Sequence, residues 1–194
     1  MTIYMQKPPK AILDRFLEKE KTYSCTYPEQ GASRLEQAEG YDNDQYSIHL
    51  GRGEHVWQRA CEAVMNWEQF PNEWTEIYPA TGVQDGGTVA VLIRLFGLWW
   101  LNSARIVYVI DEPNRCGFAY GTLPGHVEMG EEAFWVERNP EGEIFYHIRA
   151  FSKPRSWLTR LGYPIVRLCQ KRFGRHSTRQ MQALVRATPQ KVQA

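Results

Sequence analysis

Residues 117–134, GFAYGTLPGHVEMGEEAF, place a Pro-Gly turn between two aromatic, strand-like ends. Pro124-Gly125 is a strong signal for a type II turn, because glycine accepts the positive φ angle that such a turn requires. The segment therefore predicts a hairpin of two antiparallel strands. A histidine and three carboxylates follow the turn within seven residues, so the hairpin also concentrates side chains that can do chemistry.

Strand patterns continue on both sides of this hairpin. They are rich in β-branched and aromatic residues, and turn signals such as DEPNR and NPEGE separate them. The predicted strands of this part are residues 75–78, 88–95, 99–101, 105–111, 117–122, 133–138 and 143–151. An earlier strand is predicted at residues 45–50. Such closely spaced strands predict an antiparallel meander.

Helical patterns flank the meander. Apolar residues recur at helical spacing in residues 54–67, and a long amphipathic helix is predicted at residues 164–186. A short amphipathic helix is predicted at residues 11–20, and Ser152 with Pro154 is interpreted as a further helix start. The element order predicts an α+β helix-grip fold, in which a curved antiparallel sheet wraps around the long C-terminal helix and leaves a cavity between them.

The length of 194 residues and the 43% hydrophobic content predict a single domain. Within it we expect an N-terminal extension packed on the domain (residues 1–44, with an ordered surface loop at 29–44), a helix-grip core (45–187) and a flexible tail (188–194). Four cysteines lie far apart without zinc-ligand spacing, which predicts four free thiols in a reducing compartment and a cytoplasmic location. No segment is apolar and long enough to suggest a membrane span.

Charge is unevenly distributed along the chain. Residues 144–194 contain 11 basic residues and no acidic one, whereas residues 1–143 contain 12 basic and 22 acidic residues. The basic face of the C-terminal helix is either a surface for transient contact with an anionic membrane or a partner, or the complement of the protein's own acidic part. No nucleic-acid-binding motif accompanies it, so no specific nucleic acid is expected. The predicted surface consists of Arg167, Lys171, Arg175 and Arg179.

His126 is the first candidate for catalysis. Paired with Glu131 or Glu132, it has the residue types of a general acid and base near neutral pH. The structural alternative is that a glutamate accepts backbone N–H bonds of the turn while His126 bonds locally. A metal site is disfavoured, because successive residues of a strand point to opposite faces and both glutamates cannot easily face one ion. The glycine spacing fits neither a dinucleotide nor a phosphate loop, so no cofactor is predicted.

The predicted ligand-binding residues lie on the strands of the hairpin. Phe118, Tyr120 and Thr122 share one strand face, and Phe134 lies on the next strand. Tyr120 is the best candidate for a polar group in the cavity, although a buried tyrosine bonded to the backbone fits as well. Two further questions stay open at this stage. Either face of the strand at residues 143–151 can point inward, and of Trp99 and Trp100 one is expected to point outward or to pack against the N-terminal helix.

Four separated segments resemble a known protein family. They are TYPEQGASR (residues 26–34), LGRGEHVWQRACEAVMNW (50–67), SARIVYVIDE (103–112) and YGTLPGHVEMGEEAF (120–134). The chain resembles, over residues 22–173, an uncharacterised family of bacteria and plants known as a domain of unknown function. The resemblance implies the fold of the START and Bet v 1-like superfamily, which includes polyketide cyclases and lipid-transfer proteins. It implies no particular activity.

Three classes of function follow. The first is binding, and possible transport, of a small apolar or amphipathic ligand between the sheet and the C-terminal helix. The second is an acid/base enzyme of cyclase, isomerase or hydrolase type that uses His126 and a nearby glutamate. The third is a scaffold with an occluded cavity and a basic partner surface. Nothing in the sequence determines the oligomeric state.

Overall fold

A computed structural model describes residues 2–35, 37–155 and 162–187. The secondary structure follows the expected order of strand, helix, meander and long helix. In chain order the elements are β1 (Thr2–Tyr4), α1 (Lys10–Glu20), a short 3₁₀ helix (Ala32–Arg34), β2 (Asp42–Arg52), α2 (Glu54–Met65), β3 (Thr75–Tyr78), β4 (Thr88–Leu95), β5 (Leu98–Glu112), β6 (Arg115–Thr122), β7 (Glu128–Arg138), β8 (Glu143–Pro154) and α3 (Tyr163–Ala187).

The eight described strands form one antiparallel sheet. Its order is β2-β8-β7-β6-β5-β4-β3, and β1 pairs with β5 beside this path. The main core lies between the sheet and helices α2 and α3, where Tyr146, Phe118 and Met181 are fully buried. A smaller cluster packs α1 onto the opposite face, around Leu13 and Leu92. The predicted α+β helix-grip architecture, a sheet wrapped around the C-terminal helix, is confirmed.

Helix α3 approaches the sheet closely because a glycine faces it. A Cβ atom at Gly174 would lie 2.4 Å from Cε2 of Tyr46, so any other residue would push the helix away. One turn further on, the hydroxyls of Tyr146 and Ser177 are 2.9 Å apart and satisfy one another in the core. None of the described helices has the length and hydropathy needed to cross a lipid bilayer.

Several strands are longer than the sequence patterns predicted. Residues 99–101 and 105–111 belong to the single strand β5, and β7 begins at Glu128 rather than at residue 133. The helix start predicted at Ser152 and Pro154 is wrong, because both residues belong to β8. Ser152 has ladder partners on two sides, Asp42 and Gly130, and this pairing overrides the local helix signal. The predicted flexible tail at residues 188–194 lies outside the described residues.

The prediction of four free thiols is also wrong. Cys61 on α2 and Cys116 on β6 form a disulfide, with Cα atoms 5.8 Å apart, while Cys25 and Cys169 are free. The two bonded residues are 55 positions apart in sequence, and only the packing of α2 on the sheet brings them together. The prediction of a reducing compartment therefore loses the observation on which it depended.

Candidate functional site

A cavity of about 930 Å³ lies between the concave face of the sheet and α3. Its size is that of pockets that enclose a drug-sized molecule. Its wall is mostly apolar, and its residues come from the seven strands β2 to β8, the segment after α2 and one side of α3. The main apolar lining residues are Phe70, Trp74, Val91, Ile93, Trp100, Val166 and Phe173.

Exposed apolar side chains surround the mouth of the cavity. Phe96, in the turn between β4 and β5, is 75% exposed, and Ile165, in the first turn of α3, is 48% exposed. Arg155, the residue after β8, also lines the cavity and donates a hydrogen bond to the carbonyl oxygen of Pro124. The cavity is therefore reached past apolar side chains.

Two of the four predicted ligand-binding residues line the cavity and two do not. Tyr120 and Thr122 lie on its wall. Phe118 and Phe134 are fully buried and do not line it. Phe134 packs behind Phe70, with ring centroids 5.6 Å apart. These two phenylalanines form the aromatic base on which the lining residues pack, rather than a surface for a ligand.

The inward face of β7 carries two carboxyl groups into the cavity. Alternation along the strand places Glu128, Gly130 and Glu132 on one face, and all three line the cavity. Tyr120 on the neighbouring strand β6 is paired with Glu132 in the ladder. A small polar region is thus built into an otherwise apolar wall.

Glu128 is 6% exposed and is held by hydrogen bonds from two elements. The Gln170 side-chain amide of α3 donates to both carboxyl oxygens, at 2.8 and 2.9 Å, and the Ser152 hydroxyl of β8 donates at 3.1 Å. Burial raises the pKa of Glu128 to about 7, against the opposing effects of these donors and of Arg167. Near neutral pH this carboxyl group exists in both protonation states.

Glu132 receives fewer hydrogen bonds than Glu128. The Tyr120 hydroxyl donates to its Oε2 at 2.7 Å. Burial, assisted by the nearby negative charges of Glu128 and Asp44, raises the pKa of Glu132 to about 7, although the Tyr120 bond opposes the shift. Burial also holds the pKa of Tyr120 well above its usual value, so this hydroxyl remains a donor at physiological pH. The pair has a protonation equilibrium suited to acid/base chemistry.

His126 lines the same cavity from the turn between β6 and β7. Its backbone N–H donates to the Leu123 carbonyl at 2.9 Å, which closes a turn at the predicted place. The predicted type II geometry is wrong, because Gly125 does not adopt the positive φ angle that a type II turn requires. Its Nδ1 accepts the backbone N–H of Glu128 at 3.1 Å. Burial lowers the pKa of His126 to about 4, so the ring is neutral at pH 7. The structure therefore places His126 and Glu132 on one concave surface, with His126 also bonded locally.

Glu131 points to the opposite face of β7, where the N-terminal segment covers the sheet. Its carboxylate accepts hydrogen bonds from the Tyr27 hydroxyl and the Gly31 N–H, both at 2.7 Å, from the Ser33 N–H at 3.0 Å and from the Ser33 hydroxyl. Glu131 is 3% exposed. Of the two glutamates proposed as partners of His126, only Glu132 turns its side chain towards the cavity; Glu131 anchors residues 27–33.

Two glycines of the hairpin, Gly121 and Gly125, allow the N-terminal residues to pack closely against it. A Cβ atom at Gly121 would lie 2.0 Å from the Tyr27 hydroxyl, and one at Gly125 would lie 2.6 Å from Cζ of Phe16 on α1. The carboxylate of Glu20, at the end of α1, accepts the Gly125 N–H at 2.7 Å. Close contact with the N-terminal residues explains why glycine occupies both positions.

The predicted basic surface divides into two parts. Arg167 forms a partly buried ion pair with Asp44 on β2, so its charge is neutralised within the protein. Lys171, Arg175 and Arg179 are exposed on α3. Pairing with the protein's own acidic part thus holds for Arg167, and contact of the other three residues with a membrane or partner stays a prediction.

Two open questions about strand faces are answered by the packing. Ile144, Tyr146 and Ile148 of β8 belong to the main core, so this set faces α3. Trp99 packs with the α1 cluster, as expected, and Trp100 lines the cavity.

Four polar residues of the site were not predicted from the sequence as binding or catalytic residues. Glu128, Asn102, Ser152 and Gln170 all line the cavity. Glu128 was detectable, because it lies four residues before Glu132 and a strand puts such residues on one face. The other three are contributed by β5, β8 and α3, and no local pattern relates them.

An antiparallel sheet wrapped around a C-terminal helix, with a cavity between them, defines the helix-grip class of Bet v 1-like and cyclase-like proteins. Solved structures share this fold. Ara h 8.0201 has a TM-score of 0.50 at 10% identity and covers 77% of this chain and 100% of its own. The di-domain ARO/CYC StfQ of the steffimycin biosynthetic pathway has a TM-score of 0.51 at 13% identity, covering 75% of this chain and 51% of its own. Such low identities show the fold alone.

Sequence comparison identifies the family. Residues 26–180 match the family described as a domain of unknown function, DUF1990. A UPF0548 protein of Dictyostelium discoideum is 34% identical over an alignment of 199 residues, gaps included, and the alignment covers 91% of this chain and 92% of that protein. The chain belongs to the DUF1990 family, and the predicted membership in a family of unknown function is confirmed.

Proposed function

We propose that the protein binds a small apolar or amphipathic molecule in the cavity between the sheet and α3. The observation that carries the proposal is the cavity itself, about 930 Å³ in volume and lined mainly by apolar side chains. An apolar chain or ring transferred from water to this wall gains about 25 cal/mol per Å² of buried surface. The fold shared with Ara h 8.0201 and StfQ is compatible with such a cavity but does not identify a ligand.

A single substitution can test the proposal. Ala150 on β8 lines the cavity beside Glu132, and Ala150→Phe would fill part of the space. We expect this variant to lose most of the binding of apolar probes, measured by native mass spectrometry and by titration of the tryptophan fluorescence. Ala183→Phe, at an exposed position of α3, is the matched control and should bind like the wild type. Equal binding by both variants would refute binding in this cavity.

Acid/base catalysis is the second candidate function, and one observation favours it. Glu132 has a pKa raised to about 7, contacts the Tyr120 hydroxyl and shares the cavity with His126. A carboxylate of this basicity, beside a hydroxyl donor, suits proton abstraction next to a carbonyl group, as in cyclase or isomerase chemistry. In this version Glu132 is the base, and the carbonyl oxygen of the substrate replaces Glu132 as the acceptor of the Tyr120 hydroxyl. His126 stays neutral.

Deuterium exchange tests this candidate without knowledge of the substrate. Acetophenone in D₂O exchanges its methyl protons slowly at neutral pH, and a cavity base would accelerate the exchange. We expect the acceleration to be lost in Glu132→Gln and retained in Glu141→Gln, whose side chain is exposed in the turn before β8. An exchange rate equal to that of buffer for the wild-type protein would count against this chemistry while leaving ligand binding intact.

A further inference from the structure

The charges around the cavity are predominantly acidic. Asp44, Glu128, Glu131 and Glu132 line the wall. Asp44 is paired with Arg167, and the carboxylate of Glu131 is directed away from the cavity to its donors in residues 27–33. Among the described residues that line the cavity, Arg155 is the one lysine or arginine. Its guanidinium donates to the Pro124 carbonyl. The interior therefore has two carboxyl groups, Glu128 and Glu132, with no free cationic side chain to neutralise them.

The two carboxyl groups differ in how much of their bonding capacity is used. Glu128 receives three hydrogen bonds, two from Gln170 and one from Ser152. Glu132 receives one at Oε2, from Tyr120, and no described residue donates to its Oε1. An ionised carboxylate can accept about four hydrogen bonds. Glu132 therefore has capacity left for a donor that enters the cavity.

We propose that the ligand carries a cationic head group of the ammonium type, which binds to Glu132 and is attracted by Glu128, while its apolar part contacts the aromatic wall. This inference rests on the proposed binding function and specifies its ligand class. A carboxylate or phosphate head group would meet acidic groups without a neutralising base and would be disfavoured. A neutral alcohol can donate one hydrogen bond to Glu132, or to the amide oxygen that replaces it in Glu132→Gln, but it gains no attraction between charges.

Proton exchange accompanies such binding. An ammonium ion stabilises the ionised form of a neighbouring carboxyl group, so a cationic ligand displaces protons that Glu128 and Glu132 hold near neutral pH. Other titratable or charged groups face these carboxyls from several elements. They are Asp44 and Tyr46 on β2, Tyr120 on β6, His126 in the turn, Tyr146 on β8, and Tyr163, Arg167 and Cys169 on α3. Of these, His126 is neutral above pH 6, Asp44 and Arg167 stay paired, and the burial of Cys169 and the tyrosines raises their pKa values.

Three probes of equal chain length separate the contributions of head group and chain. Decylamine, decan-1-ol and decanoate are titrated into the full-length protein at pH 7.5 by calorimetry. We expect decylamine to bind at least about 10-fold more tightly than decanoate, since an opposite charge in a partly buried site contributes at least about 1.4 kcal/mol, a factor of ten in affinity. Glu132→Gln should reduce decylamine affinity by about 10-fold and leave decan-1-ol unchanged. Glu141→Gln, outside the cavity, should change neither.

The pH dependence provides a second readout. Decylamine affinity should increase by about 10-fold between pH 6 and pH 8, since protons compete with the ammonium group for a carboxylate of pKa about 7. Decan-1-ol affinity should stay constant. Decanoate binding as tightly as decylamine, or decylamine affinity unaffected by Glu132→Gln, would overturn the head-group inference while the binding function stands. Failure of all three probes to bind would instead refute the binding of apolar chains in this cavity, and the head-group inference with it.

Discussion

Glu131 and Glu132 are adjacent in sequence, yet the two faces of β7 treat them differently. Each accepts a hydrogen bond of 2.7 Å from a tyrosine hydroxyl, Tyr27 on the outer face and Tyr120 on the inner face. On the outer face three further donors complete the shell of Glu131. On the inner face Glu132 has a single donor among the described residues. The number of donors separates a structural carboxylate from one available to a ligand.

This contrast teaches how to interpret a buried acid. A carboxylate whose acceptors are filled by its own chain stabilises that chain, because its desolvation is offset by charge-assisted hydrogen bonds. A carboxyl group in a cavity that receives fewer hydrogen bonds than it can accept destabilises the folded state when it ionises. Such destabilisation is typical of functional sites. The experiments below measure the difference between the two faces.

Glu131→Ala should have the largest effect. It would leave buried N–H and O–H donors of Tyr27, Gly31 and Ser33 without an acceptor, and the free energy of unfolding should fall by about 4 kcal/mol. Urea denaturation measures this loss, and limited proteolysis should show earlier cleavage within residues 27–33. Glu141→Ala, at an exposed site, should change the stability by less than about 0.5 kcal/mol. A loss below about 1 kcal/mol for Glu131→Ala would contradict the anchoring role.

Glu132→Gln should have the opposite effect above neutral pH and increase the free energy of unfolding. The folded pKa of about 7 exceeds the ordinary value of 4.5, so the folded state binds more protons than the unfolded state between these pH values, and stability falls as pH rises through this window. A difference of about 2.5 units is equivalent to about 3 kcal/mol. The variant should be more stable than the wild type by up to this amount at pH 8 and equally stable at pH 4.

The variant must be compared with the wild type at each pH, because His126 has the opposite effect on the pH dependence of stability. Its folded pKa of about 4 lies below the ordinary value of 6.5, so its contribution to stability is present above pH 6.5 and is lost as pH falls towards 4. Glu128→Gln should be stabilised less at pH 8 than Glu132→Gln: burial raises its pKa similarly, but the variant loses an acceptor for Gln170 and Ser152. If neither variant is more stable than the wild type at pH 8, ionisation of these carboxyl groups does not destabilise the folded state.

The two tyrosine hydroxyls provide a smaller and more selective test. Tyr120→Phe should cost about 1 kcal/mol at pH 5, where Glu132 is protonated, and about 2 kcal/mol at pH 8.5, where the bond becomes charge-assisted. Tyr27→Phe removes the equivalent bond on the outer face and serves as the matched comparison. Thermal and urea denaturation at both pH values measure the costs. The same cost for Tyr120→Phe at both pH values would indicate that Glu132 does not titrate in this range.

The smallest effect is expected on the exposed part of the basic surface. We propose that Lys171, Arg175 and Arg179 support transient contact with anionic lipid, each contributing about 1 kcal/mol at low salt. Liposome flotation should therefore decrease by about 5-fold for Arg175→Gln, whereas Arg167→Gln, whose charge is already paired with Asp44, should reduce flotation less. Phosphatidylcholine vesicles and 0.5 M salt should abolish flotation of the wild type. Equal flotation with neutral and anionic vesicles would refute the charge-based contact.

Sequence alone determined the helix-grip fold class, because the change from helical period to strand period and the closely spaced turn signals are local properties. It also determined that Glu131 and Glu132 must face opposite sides of their strand. Tertiary structure decided which side is the cavity, since that depends on where residues 27–33 and α3 pack. It also brought Cys61 to Cys116, extended β8 through Ser152, and assembled Glu128, Ser152 and Gln170 from three elements. These outcomes depend on contacts between residues far apart in sequence, which no local periodicity records.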